Sequence, residues 1–335
     1  MTPRVQLLWL AFGPIGDSLM MTAVIHELVE CNPKISIRIG ARRNERMIRE
    51  MLSEYSQVEV TRLRSIGDSI TFLRNTHNAY LLIPPTFGVH GIHVKGLALT
   101  ARHLFRVRTL GFSDKGFIQP YTIKHIFNID SPYIDNIALL LRTAGFALPE
   151  RIIPNPNLPE LPVMSLGAQM PFIFVQLFAG NPSRTFSESR WRDVLTKIRH
   201  RYPIHELVVS LSKENKTSAE VIVRDLPNTH LYIDLSIPEL VYALKHAKVF
   251  IGPDTGVTHI ASVLGKNSVV IGNQSNPTWL PTYNPKAHIL YASAQCTCDG
   301  KKGGECVVED SGKKYLACMY NIKDTDILAA LDRYM

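Results

Sequence analysis

The segment Val249–Lys266, VFIGPDTGVTHIASVLGK, holds residue types that together make an anion site. An apolar run breaks at Gly252-Pro253 and offers Asp254, Thr255 and Gly256 just ahead of an apolar-periodic stretch. That order predicts strand, tight turn and helix N-terminus. The first turn of a helix leaves backbone N–H groups unpaired, and the helix dipole draws negative charge to them. Asp254 and Thr255 are capping residues, and Gly256 lets a phosphate approach the backbone. The same residues also make a plain capped turn that binds nothing, and the segment alone does not choose. His259, one turn in, either donates to a bound anion or serves packing.

Near the start of the chain, Val5–Phe12 runs into Gly13-Pro14-Ile15-Gly16-Asp17 and an apolar-periodic stretch, Leu19–Val29. This is a second strand, glycine turn and helix. A third cluster is of thiols: Cys296, Cys298, Cys306 and Cys318 are spaced C-x-C-x7-C-x11-C around a glycine- and lysine-rich run. In a reducing compartment such a cluster points to a structural zinc or iron, with free thiols or disulfides as the alternatives. Cys31 stands apart and is expected in the core.

The elements that would position these groups alternate. Strands are expected at Val5–Phe12, Ser36–Ile39, Val58–Val60, Ala79–Ile83 and Thr109–Gly111. Helices are expected at Leu19–Val29, Arg42–Leu52, Gly96–Phe105 and Tyr133–Ala144. From Pro149 to Pro171 prolines recur at 149, 154, 156, 159, 162 and 171, which resists regular structure and suits a connector. The rhythm then restarts with strands Phe172–Leu177, Glu206–Leu211, Leu231–Asp234, Val249–Ile251 and Ser268–Ile271. Helices fall between them, one behind a Ser236…Glu239 capping box, and Asp324–Arg333 closes the chain. Buried strands alternating with helices predict an α/β protein of parallel, doubly wound sheets. Its domains are 1–150 and 172–322, joined by a 151–171 linker and followed by a terminal helix, 323–335. In such sheets ligands bind at the carboxyl ends of strands, where both glycine turns fall.

Composition narrows the class. No apolar run reaches the ~18 residues of a membrane span, and Val5–Phe12 is too short for a secretion signal, so a cytoplasmic protein is the expectation. The net charge is +8. No acid lies between Asp68 and Asp114, while Arg74, Lys95, Arg102, Arg106 and Arg108 do. That face is either merely solvated or meets an anionic partner, such as a phosphorylated molecule or a membrane surface. No nucleic-acid-binding signature accompanies it, so nucleic acid is not an expected partner.

The run IGPDTGVTHIASVLGK, followed by a strand and Asn276-Pro277-Thr278-Trp279-x-Pro281, resembles the donor-binding segment of glycosyltransferase family 9, the lipopolysaccharide heptosyltransferases and their protein-modifying relatives. Gly16-Asp17-Ser18-Leu19, Ile233-Asp234-Leu235-Ser236 and Cys318-Met319 also resemble that family. The resemblance implies a GT-B fold: two Rossmann-like domains facing across a cleft, acceptor bound by the first and donor by the second. It implies an inverting transferase moving a heptose from an ADP-activated donor to a hydroxyl of lipopolysaccharide core, normally without a catalytic metal. Another nucleotide sugar, a protein acceptor, nucleotide-sugar epimerisation, or a non-catalytic glycan- or nucleotide-binding protein are the alternatives.

By the same resemblance Asp17 is the catalytic base, and Asp254, Thr255, Gly256 and His259 hold the donor pyrophosphate. The family usually has a lysine after the first strand of the second domain; here the counterpart is Arg184, which keeps the charge but not the geometry. Glu214 is the counterpart of a ribose-binding residue. Arg62 and Arg64, just past Val58–Val60, fall where acceptor-recognising residues lie, and with the acid-free stretch they imply an anionic glycan or glycolipid at the inner face of the inner membrane. Asp17 is alternatively the cap of its own helix.

Overall fold

In the computed structural model, residues 5–335 are described except 75, 77–78, 85–90, 114–119, 129, 155–156, 162, 165, 169–170, 181–183, 273–276, 292–306 and 311–312. Cys296, Cys298 and Cys306 fall outside the described residues, as does the side chain of Cys318. The chain divides into two compact units, Met1–Leu158 and Pro159–Met335. Between 151 and 172 the described residues form neither helix nor strand.

The first unit contains β1 (Gln6–Ala11), α1 (Ile15–Cys31), β2 (Ser36–Ala41), α2 (Glu45–Met51), β3 (Val58–Arg62), α3 (Ile66–Leu73), β4 (Ala79–Leu82), α4 (Gly91–Leu104), β5 (Arg108–Ser113), β6 (Ile123–Ile126) and α5 (Tyr133–Thr143). Its six strands are all parallel, in the order β3-β2-β1-β4-β5-β6. The second unit contains β7 (Ile173–Gln176), α6 (Glu188–Arg201), β8 (Leu207–Leu211), α7 (Lys216–Val223), β9 (Thr229–Ile233), α8 (Ile237–His246), β10 (Val249–Pro253), α9 (Gly256–Val263), β11 (Ser268–Gly272) and β12 (Ala287–Tyr291). A hairpin of β13 (Val307–Asp310) and β14 (Lys313–Leu316), α10 (Ala317–Tyr320) and α11 (Asp324–Asp332) follow. Its main sheet, β9-β8-β7-β10-β11-β12, is also wholly parallel and repeats the order of the first.

Both sheets therefore wind outward from a central pair, β1/β4 in one and β7/β10 in the other. Where strand order reverses, neighbouring βα loops part and leave a crevice at the carboxyl ends. The central strands are buried on both faces: Leu7, Leu8, Leu10, Ile173, Phe174, Val249 and Phe250 are fully buried. They read as continuous apolar runs for that reason.

Elements not expected from the sequence include α3, β6, β12, the β13–β14 hairpin and α10. α3 starts at a Ser65/Asp68 capping box: the Asp68 carboxylate accepts from Ser65 N at 3.0 Å, and Ser65 Oγ from Asp68 N at 3.1 Å. β6 and β12 are edge strands, IKHI and AHILY, whose half-exposed faces carry polar residues. Cys31, expected in the core, is exposed: it is the last residue of α1, past the buried Leu28 and Val29. Among the described residues no helix is long and apolar enough to cross a membrane.

Candidate donor and base sites

α9 begins as the sequence indicates. Thr255 is its N-cap, with φ −145 and ψ 173, and its hydroxyl accepts from Thr258 N at 3.4 Å. Thr258 in turn donates to the Pro253 carbonyl. The helix ends as a Schellman motif: Gly265 takes φ +63, Lys266 N bonds Ala261 O at 3.0 Å, and Gly265 N bonds Ser262 O at 3.0 Å. Before it, Gly252 lies so close to β7 that a Cβ would stand 2.8 Å from Gln176 Cβ and 3.0 Å from Gln176 O. The switch point of the second unit therefore lies beside the N-terminus of α9.

Asp254 does not cap the helix. Its carboxylate is nearly buried and links two loops: Oδ2 is 3.6 Å from Arg184 Nη1, and Oδ1 is 3.5 Å from His259 Nε2. Arg184 belongs to the loop after β7, across the switch point. That loop is fixed by what surrounds Arg184. Thr185 donates to the Leu177 carbonyl and accepts from Trp191 Nε1 at 3.0 Å. Phe186 meets Trp191 edge to face at 5.1 Å between centroids, and Ser187 caps α6 through Arg190 N at 3.3 Å. Buried neighbours hold the backbone while the Arg184 guanidinium stays half exposed. His259 is buried, and its second ring nitrogen, Nδ1, meets Tyr283 Oη at 3.1 Å. The histidine is thus engaged on both nitrogens inside the protein. Tyr283 carried no signal in the sequence, since it lies 24 residues from its partner.

Glu214 lies in a 3₁₀ turn, Lys213–Asn215, past the end of β8, one strand out from β7. It is exposed, and hydrogen bonds from its own backbone N–H and from Ser212 hold its carboxyl below the usual range. No described contact joins it to the Arg184–Asp254 pair.

In the first unit Asp17 is the third residue of α1, whose N-cap is Pro14, so it is not the capping residue. Its carboxylate packs on Gly13: a Cβ there would lie 2.0 Å from Asp17 Oδ2 and 2.6 Å from Cγ. Its charge also reaches Tyr133, the first residue of α5, whose phenol is pushed well above its ordinary range by burial and by the Asp17 charge. Gly13→Ala must therefore displace the Asp17 carboxylate. With Asp17 as the base that the family resemblance implies, this substitution should cost turnover about as much as Asp17→Ala, about a thousandfold, with little change in melting temperature by calorimetry.

Arg62 is the last residue of β3 and shares a row with Ala41 and Ala11 across the sheet. Arg62 and Arg64 are both exposed at the carboxyl edge that also carries Asp17, and Arg64 N is tied to Asp68 Oδ2 at 2.7 Å. Of the acid-free stretch, Arg108 is engaged by Tyr80, donating to its hydroxyl at 2.9 Å. Arg102 and Arg106 are exposed.

Two parallel sheets of like strand order are the architecture of the GT-B fold. Within the second unit, residues 154–308 match the family described as Glycosyltransferase family 9 (heptosyltransferase). The fold is shared with solved structures over nearly the whole chain. The E. coli ADP-heptose lps heptosyltransferase II is 16% identical, with 98% of each chain covered and a TM-score of 0.67. The E. coli heptosyltransferase WaaC, solved with ADP, is 11% identical, covering 99% of this chain and 100% of that one, with a TM-score of 0.65. The iron-containing dodecameric glycosyltransferase TibC of enterotoxigenic E. coli is 14% identical, covering 100% of this chain and 77% of that one, with a TM-score of 0.60. No curated protein sequence matches the chain.

Proposed function

We propose that the protein transfers a heptose, with inversion, from an ADP-activated donor to a hydroxyl of lipopolysaccharide core. The observation that carries this is the Arg184–Asp254 pair, 3.6 Å apart beside the N-terminus of α9 in the stretch that matches family 9. A diphosphate laid on the Thr255-Gly256 N–H groups would be repelled by a bare Asp254; Arg184 offsets that charge and offers further donors to the phosphate. Glu214 is the residue for the ribose.

In the reaction the acceptor oxygen attacks the anomeric carbon as the bond from that carbon to the phosphate oxygen breaks. The electron pair leaves with the nucleoside diphosphate, and the acceptor proton goes to Asp17. Charge grows on the leaving phosphate, where fixed N–H dipoles and Arg184 stabilise it without reorganising. Arg62 and Arg64 suit an anionic acceptor, and the exposed basic residues of the first unit suit a location at the inner face of the membrane. A carboxylate early in a helix is a weak base by dipole alone, so Asp17 is assigned orientation of the hydroxyl and late proton uptake.

A melting screen tests this. ADP-heptose at 100 times its dissociation constant adds about 2.7 kcal/mol, a rise on the order of 5 °C; UDP sugars should leave the melt unmoved. If no nucleotide sugar moves it, the donor assignment is wrong. Arg184→Ala should weaken ADP binding about 30-fold, the worth of charged hydrogen bonds, with Arg184→Lys recovering part of it.

We further propose that Cys296, Cys298, Cys306 and Cys318 hold a structural metal. Among the described residues no His/Cys/Asp/Glu group is placed to hold one, so the support is the cysteine spacing, with TibC a family-like protein described as iron-containing. Elemental analysis should find about one iron or zinc per chain, falling away in Cys296→Ser/Cys298→Ser.

A further inference from the structure

We propose that Tyr283 is a positioning residue for the anion site: its phenol selects one tautomer of His259, which fixes Asp254 and thereby Arg184. Tyr283, His259 and Asp254 form a chain from the interior to the crevice, 3.1 Å from Tyr283 Oη to His259 Nδ1 and 3.5 Å from Nε2 to Asp254 Oδ1. The rings lie nearly parallel, 24° apart, with centroids 6.4 Å apart, and both are more than nine-tenths buried.

The chemistry permits one arrangement of protons. Among the described residues Tyr283 Oη has no hydrogen-bond partner but His259 Nδ1. Burial, with the Asp254 charge nearby, pushes the phenol far above its ordinary range, so it stays an O–H and must donate. Among the described residues its acceptor is a bare Nδ1. The ring proton is then on Nε2, the nitrogen that lies 3.5 Å from the Asp254 carboxylate. The opposite tautomer would set a lone pair against that carboxylate and strand the phenol proton. With Oδ1 held by the imidazole, Oδ2 is left to Arg184 at 3.6 Å.

Tyr283 can do this because its own segment is tied to α9. Asn284, buried beside it, donates from Nδ2 to Lys266 O at 3.0 Å, just past the helix end, and accepts from Lys286 N at 3.0 Å. Asn284 N closes a turn onto Pro281 O at 3.1 Å. The segment after Trp279 thus clamps the far end of α9 and reaches back to its first turn through one phenol. The link from this chain to diphosphate binding rests on the donor reading above; the tautomer does not.

The test is a two-bond proton–nitrogen correlation spectrum of ligand-free protein labelled in histidine nitrogen, with His259 assigned by its loss in His259→Gln. At neutral pH the wild type should show Nε2 protonated and Nδ1 bare; an Nδ1–H ring or an imidazolium would overturn the proposal. Tyr283→Phe should turn this into a mixture of tautomers, and raise KM for ADP-heptose about fivefold, one hydrogen bond's worth, with kcat within about twofold. A glutamine amide can hold Asp254 without a partner at Nδ1. In the His259→Gln background, therefore, Tyr283→Phe should leave KM unchanged, whereas an additive rise would show a merely structural tyrosine. The spectrum is read without ligand, so it stands whether or not ADP-heptose is turned over, and should Tyr283→Phe fail to fold, the wild-type spectrum decides.

Discussion

Asp17→Ala should slow the proposed heptosyl transfer about a thousandfold, within the range a general base supplies, while the proposed binding of ADP to the second unit is unchanged. The expectation follows from where the carboxylate is held. It is the third residue of α1, pressed on Gly13 and near the buried Tyr133 phenol. Pro14, not Asp17, is the N-cap. Asp17→Asn keeps the volume against Gly13 and serves as the packing control. If the asparagine variant melts with the wild type but turns over as slowly as the alanine, the loss is chemical. Steady-state kcat alongside ADP affinity by calorimetry reads both; wild-type kcat in either variant removes Asp17 from the base role.

The largest effect on stability is expected at Trp191. It is fully buried under the β7–α6 loop, its N–H given to Thr185 Oγ1 at 3.0 Å and its ring against Phe186. Trp191→Ala should cost about 3–5 kcal/mol, the usual range for emptying such a site. With total stability only about 5–15 kcal/mol, the urea midpoint should fall steeply at constant m-value. The same change frees the backbone carrying Arg184, so ADP affinity should fall as well. Trp191→Phe fills most of the space but loses the Thr185 bond, and about 1–2 kcal/mol is expected. A Trp191→Ala protein that melts normally would mean that this loop is held by something else.

Local grammar gave away a good part of the protein. The strand–turn–helix at Val249–Lys266 was legible because each step is decided by nearest neighbours: a capping threonine, a helix period, a glycine that accepts φ +63. The restart of the βα rhythm after a proline-rich stretch likewise announced two sheets, since buried parallel strands must be apolar throughout. Edge strands β6 and β12 are not marked in the sequence because they are short, partly exposed along their length, and interrupted by Lys124, His125 and His288. Helix α3 went unread because eight residues span barely two turns of periodicity.

Only the tertiary structure decided what the chemistry-bearing residues touch. Sequence offered Asp254 as a cap and His259 as a donor to phosphate. The fold turns Asp254 toward Arg184 across the switch point and closes His259 between Asp254 and Tyr283. Those partners come from three loops whose spacing along the chain is arbitrary, so no local pattern encodes them. Propensity and periodicity act over a few residues and fix elements; charge pairing and hydrogen bonding act wherever the strand order brings groups together. In this protein the order β9-β8-β7-β10-β11-β12 made a candidate site out of Arg184, Asp254, His259 and Tyr283.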